Sequence, residues 1–437
     1  MTEDSKLDRI TLVRAGSWAM YDFANTIYSF IVVTMYLPPL LEKITGSNFL
    51  MSFSNVFSMV IAGLSAPVLG ALTDRSSRAK RWLIIVTVTC CLMCGAIGLL
   101  IAPETTPGMA RCFGIGLAFV IANFTYQLGL MFYNSFLPIL GDSDIQGKIS
   151  GFGIALGYVG VLVMIFPADA VSDISPWLVF PFGGAMFILF SLPMFITVPE
   201  RKALKEEPIT CEVIRRELSN LVHLLSRLKH NKNLRYAFLA NFLAVDAVNT
   251  ALLFFTTFLL NAVFHTLPEE AAQDFTKYQM TALTVSCIIM SLIFGWLSDR
   301  IGSKRSFLCA ALSMGIAAVC GCLLPRGWAF YITVTVFGGA GLAGVWTAGR
   351  KLFADITPPG QEGTYFGLYG MANKSSALGT VIFACITFFL PKYNILDKPH
   401  AYRAAFLFSL VTISLSLFFL RKVTIACQNI TKEQGSE

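Results

Sequence analysis

Charge is what this chain has least of. Charged residues make up 14 % of its 437 residues, against about 25 % in an ordinary soluble domain, so it cannot cover a water-facing surface of normal composition. Histidine is scarce as well. His223, His230, His265 and His400 are the whole set, scattered through loops without ligand spacing. No glycine-rich phosphate loop and no nucleophile–base set occurs. Eleven cysteines are present, but Cys90, Cys91, Cys94, Cys287, Cys309 and Cys385 fall in apolar runs and read as packing. Cys91-Leu-Met-Cys94 lacks the second ligand pair that zinc requires. These absences argue against a cytosolic enzyme, a nucleic-acid binder and a disordered chain, and they predict no catalysis, no metal and no cofactor.

What is present is hydrophobic: 55 % of residues are apolar and 37 are Phe. Residues 44–73, 83–103, 112–141, 149–168, 174–199, 278–298 and 327–349 contain no Asp, Glu, Lys or Arg. Each is long enough to cross a hydrocarbon core, which takes about 20 helical residues. Stretches 23–41, 306–325 and 404–420 reach that length with modest extension. Two more run from about Leu234 to Phe264 around Asp246 and from about Thr364 to Leu390 around Lys374. In lipid every backbone amide must be paired within its own segment, so the spans are helices. The polar start, MTEDSKLDR, predicts that the first span is retained and not cleaved. The expected fold is an all-α membrane protein with twelve transmembrane helices.

With both termini in the cytoplasm, 25 of the 33 Lys and Arg fall on cytoplasmic segments and 7 outside. The positive-inside rule predicts that orientation. The net charge of +7 then reflects topology and not a nucleic-acid partner. The expected partners are the lipid bilayer, a small-molecule substrate and protons, with the chain a monomer. Short loops suggest a bacterial inner membrane. One long loop after the sixth span divides the chain into residues 1–198, a cytoplasmic linker 199–233, and residues 234–437. In the linker Ile214, Leu218, Leu221, Leu225 and Leu228 recur at 4-3-4-3 spacing, with Arg215, Arg216, Arg227 and Lys229 on the remaining face. That pattern predicts an amphipathic helix on the membrane surface.

The two halves repeat each other. The second span ends in Gly70-Ala-Leu-Thr-Asp74-Arg75 and the eighth in Gly295-Trp-Leu-Ser-Asp299-Arg300. The first carries Asp22-Phe-Ala-Asn25-Thr26 and the seventh Asp246-Ala-Val-Asn249-Thr250. Both motifs recur at nearly one offset, as a tandem duplication requires. Two parallel six-helix repeats with a long joint is a transporter architecture. Gly70 and Gly295 allow close helix approach. Asp74 and Asp299 are placed to meet the N-terminus of a neighbouring helix or a base, and so to latch the halves. Arg75 and Arg300 are expected to hold the loops at the anionic leaflet. Together these six residues are the predicted gate.

The repeated Gly-x-Leu-x-Asp-Arg segment resembles the loop motif of the major facilitator superfamily. Trp18-Ala-Met-Tyr-Asp22-Phe-Ala-Asn25, Phe366-Gly-Leu-Tyr369 and Asn373-Lys374-Ser375-Ser376 resemble, within it, the branch of vacuolar amino-acid effluxers tied to autophagy in fungi and their bacterial relatives. The resemblance implies two pseudo-symmetric six-helix bundles around one cavity, alternating access, and an amino acid as substrate. It departs from the drug–proton antiporters of the superfamily, because the fourth span has no core Arg and the fifth has Gly153, Gly157 and Gly160 without their proline.

Polar residues inside the spans are the candidate site. Asp22 lies about 10 Å and Asp246 and Lys374 about 15 Å from the inner surface, at 1.5 Å per residue. An isolated charge at such depth costs about 2.5–3.5 kcal/mol. Asp22 and Asp246 are expected to bind a proton or a substrate ammonium. Lys374 is their expected partner, or a ligand for a substrate carboxylate. Asn123, Tyr126, Gln127 and Asn134 offer a polar face on the fourth span, with Asn25, Asn249 and Asn373 for orientation. Trp346 and Arg350, four residues apart on the tenth span, offer a carboxylate contact, or Arg350 snorkels to the surface. The expected function is proton-coupled secondary transport of a small polar organic solute. Export of amphipathic compounds or lipids, and a non-transporting sensor or scaffold, are the alternatives.

Overall fold

The computed structural model describes residues 3–38, 40–41, 49–102, 108–203, 206–207, 210, 212–213, 231–376 and 378–424. The amphipathic segment expected at Ile214–Leu228 lies outside the described residues. Everything long is helical, as the absence of water in the hydrocarbon demands. In chain order the helices are α1 (Glu3–Tyr28), α2 (Phe49–Asp74), α3 (Ala79–Ile101), α4 (Met109–Asn134), α5 (Ser143–Ile174), α6 (Val179–Thr197) and α7 (Lys232–Phe258). Then come α8 (Glu269–Ile301), α9 (Ser303–Leu323), α10 (Trp328–Ile356), α11 (Glu362–Ser375), α12 (Leu378–Lys392) and α13 (Lys398–Arg421). Helices α11 and α12 are two pieces of one span. Two helices widen at their ends: Ser29–Met35 continues α1 and Leu259–Val263 continues α7 as π-helical turns.

Among the described residues eleven stretches are long and apolar enough to cross a membrane, counting α11 and α12 together. With α1 the spans number twelve. Helix α1 falls short by composition because its first half is polar, yet Trp18, Ala24, Ile27 and Ile31 are fully buried. Outward-facing Phe113, Phe166, Ile196 and Leu253 are exposed, which suits a hydrocarbon surrounding and not water.

Two hydrophobic cores result. One gathers Trp18, Tyr21, Phe119, Phe132 and Phe187 from α1, α4 and α6. The other gathers Val248, Phe258, Phe307, Phe330 and Phe406 from α7, α9, α10 and α13. Two helices cross the division. Helix α11 packs on α2 and α4, and α5 packs on α8 and α10. Tyr365, Phe366, Leu368 and Tyr369 of α11 accordingly join the first core.

Those crossings are tight because glycine faces glycine. A Cβ added at Gly295 would lie 2.7 Å from the Gly147 carbonyl oxygen, and one at Gly147 would lie 2.5 Å from that of Gly295. A Cβ at Gly70 would run into the backbone carbonyl of Gly363. Overpacking such a contact costs about 1–3 kcal/mol. Gly70→Ala and Gly295→Ala are therefore expected to lower the thermal unfolding temperature of the purified protein. Gly95→Ala, where an added Cβ meets nothing within 4 Å, is expected not to. Equal melting of all three variants would contradict the close-approach account.

Candidate functional site

The two bundles meet at the face that holds the start of α1 and the end of α13, through carboxylates that accept from the first two turns of helices. Asp74, at the end of α2, accepts from the backbone N–H groups of Gly363 (2.7 Å) and Thr364 (2.8 Å) in the first turn of α11. The Thr364 hydroxyl adds a bond of 2.7 Å. Asp299, near the end of α8, accepts from the N–H groups of Gly147 (2.6 Å) and Lys148 (2.8 Å) in the second turn of α5. A negative charge at either place answers the positive end of the helix dipole, and at α11 it also meets donors that the helix start leaves unpaired. Gly70 and Gly295 sit at the same two crossings.

One latch is reinforced. The Arg201 guanidinium, 4 % exposed, pairs with Asp74 at 2.8 Å and Glu362 at 3.0 Å and donates to the Thr73 hydroxyl at 3.1 Å. Where α11 has Glu362 before Gly363, α5 has Gln146 before Gly147, and Gln146 donates to the Pro138 and Gly141 carbonyls instead. Arg75 and Arg300 stay out of both latches. Arg75 pairs with Glu207 of the linker at 3.1 Å, and Arg300 lies over the Trp296 ring, 4.9 Å from its centroid. A further cross-bundle contact joins Ser143, whose hydroxyl donates to Asp355 (3.1 Å) and accepts from Lys351 (2.8 Å).

Deeper in the same half lies a buried ion pair. Arg350 of α10 donates to Asp22 of α1 at 2.9 Å, and the two residues are 5 % and 4 % exposed. Arg350 also stands over the rings of Trp18 (5.3 Å) and Tyr133 (5.5 Å), which stack on each other. Trp18 is fixed in turn by donating to the Tyr133 carbonyl at 3.0 Å. Asn25 completes the cluster by donating to Asp22 at 3.2 Å. This corrects two expectations. Arg350 does not snorkel, because its guanidinium is drawn inward to Asp22, beside the stacked rings of Trp18 and Tyr133. Asp22 is partnered by Arg350, not by Lys374.

The seventh-span carboxylate is arranged differently. Asp246 is 1 % exposed, and both of its oxygens accept from the Gly379 N–H of α12, each at 2.9 Å. Both aspartates are therefore enclosed in this arrangement. Asn249 donates to the Ser376 carbonyl at 3.0 Å, and Asn373 accepts from Asn241 at 2.7 Å. Lys374 donates to Gln127 of α4 and makes no ion pair among the described residues.

The remaining candidates are spread out. Asn123 donates to Asn55 (2.9 Å) and Ser58 (2.7 Å) of α2, and so ties helices within one bundle. The Tyr126 ring packs 4.7 Å from that of Tyr28. Trp346 packs against the second core, and Asn134 is buried. Arg201, Glu362 and Asn241 had not been singled out. Asn241 carries a signal, a polar side chain in an apolar span eight residues before Asn249. Arg201 carries none beyond being the first base after the sixth span.

Removing one partner of a buried ion pair costs about 3–5 kcal/mol, because the other charge is stranded. Asp22→Asn and Arg350→Gln are each expected to be strongly destabilising, and the double variant less so than their sum. Thermal or denaturant unfolding measures this. Additive losses would deny the pair any coupling.

Comparison with known proteins places this geometry. Residues 45–433 match the family described as "Vacuole effluxer Atg22 like". The chain is 21 % identical over 396 residues to an uncharacterised MFS-type transporter of Bacillus subtilis, YxiO, covering 84 % of this chain and 87 % of that one. It is 22 % identical over 358 residues to autophagy-related protein 22 of Vanderwaltozyma polyspora, covering 70 % and 65 %. Among solved structures it superposes on a bacterial homologue of the iron transporter ferroportin, in its outward-facing state, with TM-score 0.70 at 16 % identity over 94 % of this chain and 98 % of that one. The proton:xylose symporter XylE gives TM-score 0.66 at 16 % identity over 96 % of both. These structures share the fold. The chain belongs to the Atg22-like family and is a transporter of the major facilitator superfamily.

Proposed function

We propose that the protein is a proton-coupled secondary transporter of a small polar organic solute, an amino acid first. The two bundles rock about a shared site by alternating access. The observation that carries the reading is the Asp22–Arg350 pair at 2.9 Å. It joins the two bundles, so any motion that separates them near the middle must break it. A stranded carboxylate in that setting is too costly to tolerate. A proton on Asp22 removes the charge and releases Arg350, which makes bundle separation depend on protonation. The family description, a vacuole effluxer, supports movement of a solute out of a compartment, and the amino acid follows from the motif resemblance alone. The buried charges argue against a scaffold, which has no use for them. Both termini lie on the cytoplasmic side in this reading, in a bacterial inner membrane, with the chain acting as a monomer. Asp74 and Asp299 hold the cytoplasmic face shut when the site opens outward.

The test is transport into proteoliposomes under an imposed pH gradient, with radiolabelled amino acids. The wild-type protein is expected to accumulate solute against its gradient. Asp22→Asn is expected to cut that accumulation at least tenfold, about 1.4 kcal/mol or more of lost coupling. Gradient-driven accumulation that is unchanged in Asp22→Asn would overturn the coupling role.

A further inference from the structure

The eleventh span is interrupted within the membrane. Helix α11 ends at Ser375, Ser376 leaves helical geometry (φ −79°, ψ 83°), and α12 begins at Leu378. A break in hydrocarbon exposes carbonyls at the end of one piece and N–H groups at the start of the next, and each needs a partner. Helix α7 supplies both. Asn249 donates to the carbonyls of Ser376 (3.0 Å) and Asn373 (3.4 Å). Asp246 accepts from the Gly379 N–H through both oxygens. Asp246 is thus the resident anion of the α12 start, where a broken transporter helix can otherwise receive a substrate anion.

The other half of the duplication is built differently. Helix α5 runs unbroken from Ser143 to Ile174, and the first-span carboxylate meets a guanidinium instead of a helix end. Gly153 and Gly379 hold corresponding places, since a Cβ on either would lie 2.6 Å from the aspartate of its own half. The consequence falls on Lys374, the penultimate residue of α11. One carboxylate is taken by Arg350 and the other by α12. The Lys374 ammonium, half-buried, reaches across the division between the bundles to the neutral side-chain oxygen of Gln127. A cation removed from water and answered by one amide is under-compensated. It has room in its charge balance for one anion.

We infer that Lys374 and Gln127 form the recognition site for a carboxylate carried by the solute, and that Asp246 and Asn249 are positioning residues that hold the break so that Lys374 reaches it. This rests on the transport reading and separates its two tasks: the proton binds at Asp22, and the carboxylate at Lys374. Asp246 is thereby removed from proton coupling.

Gln127→Glu tests the site from within, by tethering a carboxylate where the solute's would sit. The purified variant is expected to melt above the wild-type protein. Three probes of one carbon skeleton are then added to the wild type: L-valine, its deaminated acid 3-methylbutanoate, and its decarboxylated amine isobutylamine. The two carboxylates are expected to raise the melting temperature and the amine is not, because binding to the native form stabilises it. Both shifts are expected to vanish in Gln127→Glu and in Lys374→Gln. Asp246→Asn, which keeps an acceptor for Gly379, is expected to retain them, and Asp246→Ala to lose them. The site is overturned if Gln127→Glu melts at or below wild type, if isobutylamine matches the carboxylates, or if neither carboxylate shifts the wild type. Loss in Asp246→Asn, or retention in Asp246→Ala, overturns the positioning role. These shifts need no flux, so they stand or fall separately from the Asp22 transport experiment.

Discussion

Taking a charge out of water is costly, and every other feature of the interior follows from how that cost is met. Asp22, Asp74, Asp246 and Asp299 are held at or inside the span ends, and each is answered. Asp22 is answered by a guanidinium. Asp74, Asp246 and Asp299 are answered by backbone N–H groups near helix starts. For Asp74 and Asp246 the donors are ones that a helix start leaves unpaired in any case, so one contact satisfies two needs. It also makes helix position the variable. The carboxylate is content only while the helix start is within reach, and movement of α11 away from α2, or of α5 away from α8, strands both sides at once. Such contacts hold in one geometry and fail abruptly in another, which is the behaviour of a latch.

The duplication set up two equal halves, and the differences between them carry the chemistry. Arg201 neutralises Asp74 and Glu362 together, whereas Asp299 faces a helix whose matching residue is the neutral Gln146. Releasing the first latch therefore also takes Glu362 from Arg201, while the start of the linker stays stitched to the α2–α3 turn by Arg75 and Glu207 and by the bond from the Ala203 N–H to the Ser77 hydroxyl, 2.8 Å. At depth the halves differ again: the first-span aspartate pairs with a guanidinium of the other bundle, and the seventh-span aspartate meets the broken helix of its own half.

Much of this was legible in the residues alone. Charge-free runs placed the spans, and the repeated Gly-x-Leu-x-Asp-Arg segment pointed Asp74 and Asp299 at the start of a neighbouring helix or at a base; Asp74 meets both, and Asp299 meets the second turn of α5. What stayed hidden was partner choice. A polar side chain in a span announces that it needs a partner, but the identity of that partner depends on how helices far apart in sequence are rotated and slid against each other. Asp22 and Lys374 were matched by charge and depth, and the fold gave Asp22 to Arg350 instead. Arg350, close to a span end, read as a contact for a substrate carboxylate or as a snorkelling residue. Only the stacked rings of Trp18 and Tyr133 show why it turns inward. The break after Ser375 was equally hidden: no proline marks it, and Lys374 beside it reads as a lone charge in a continuous span. It is sustained by Asn249 and Asp246 from another helix.

The central claim is that the face bearing the start of α1 and the end of α13 is held closed by Asp74 and Asp299 acting together. Pulsed dipolar spectroscopy between spin labels at Arg78 and Arg305, both exposed and one in each bundle, measures that closure directly once the native cysteines have been replaced. The account predicts a dominant short-distance population in the parent protein and a second, longer population when Asp74→Ala and Asp299→Ala are combined. An unchanged distance distribution in the double variant would contradict it.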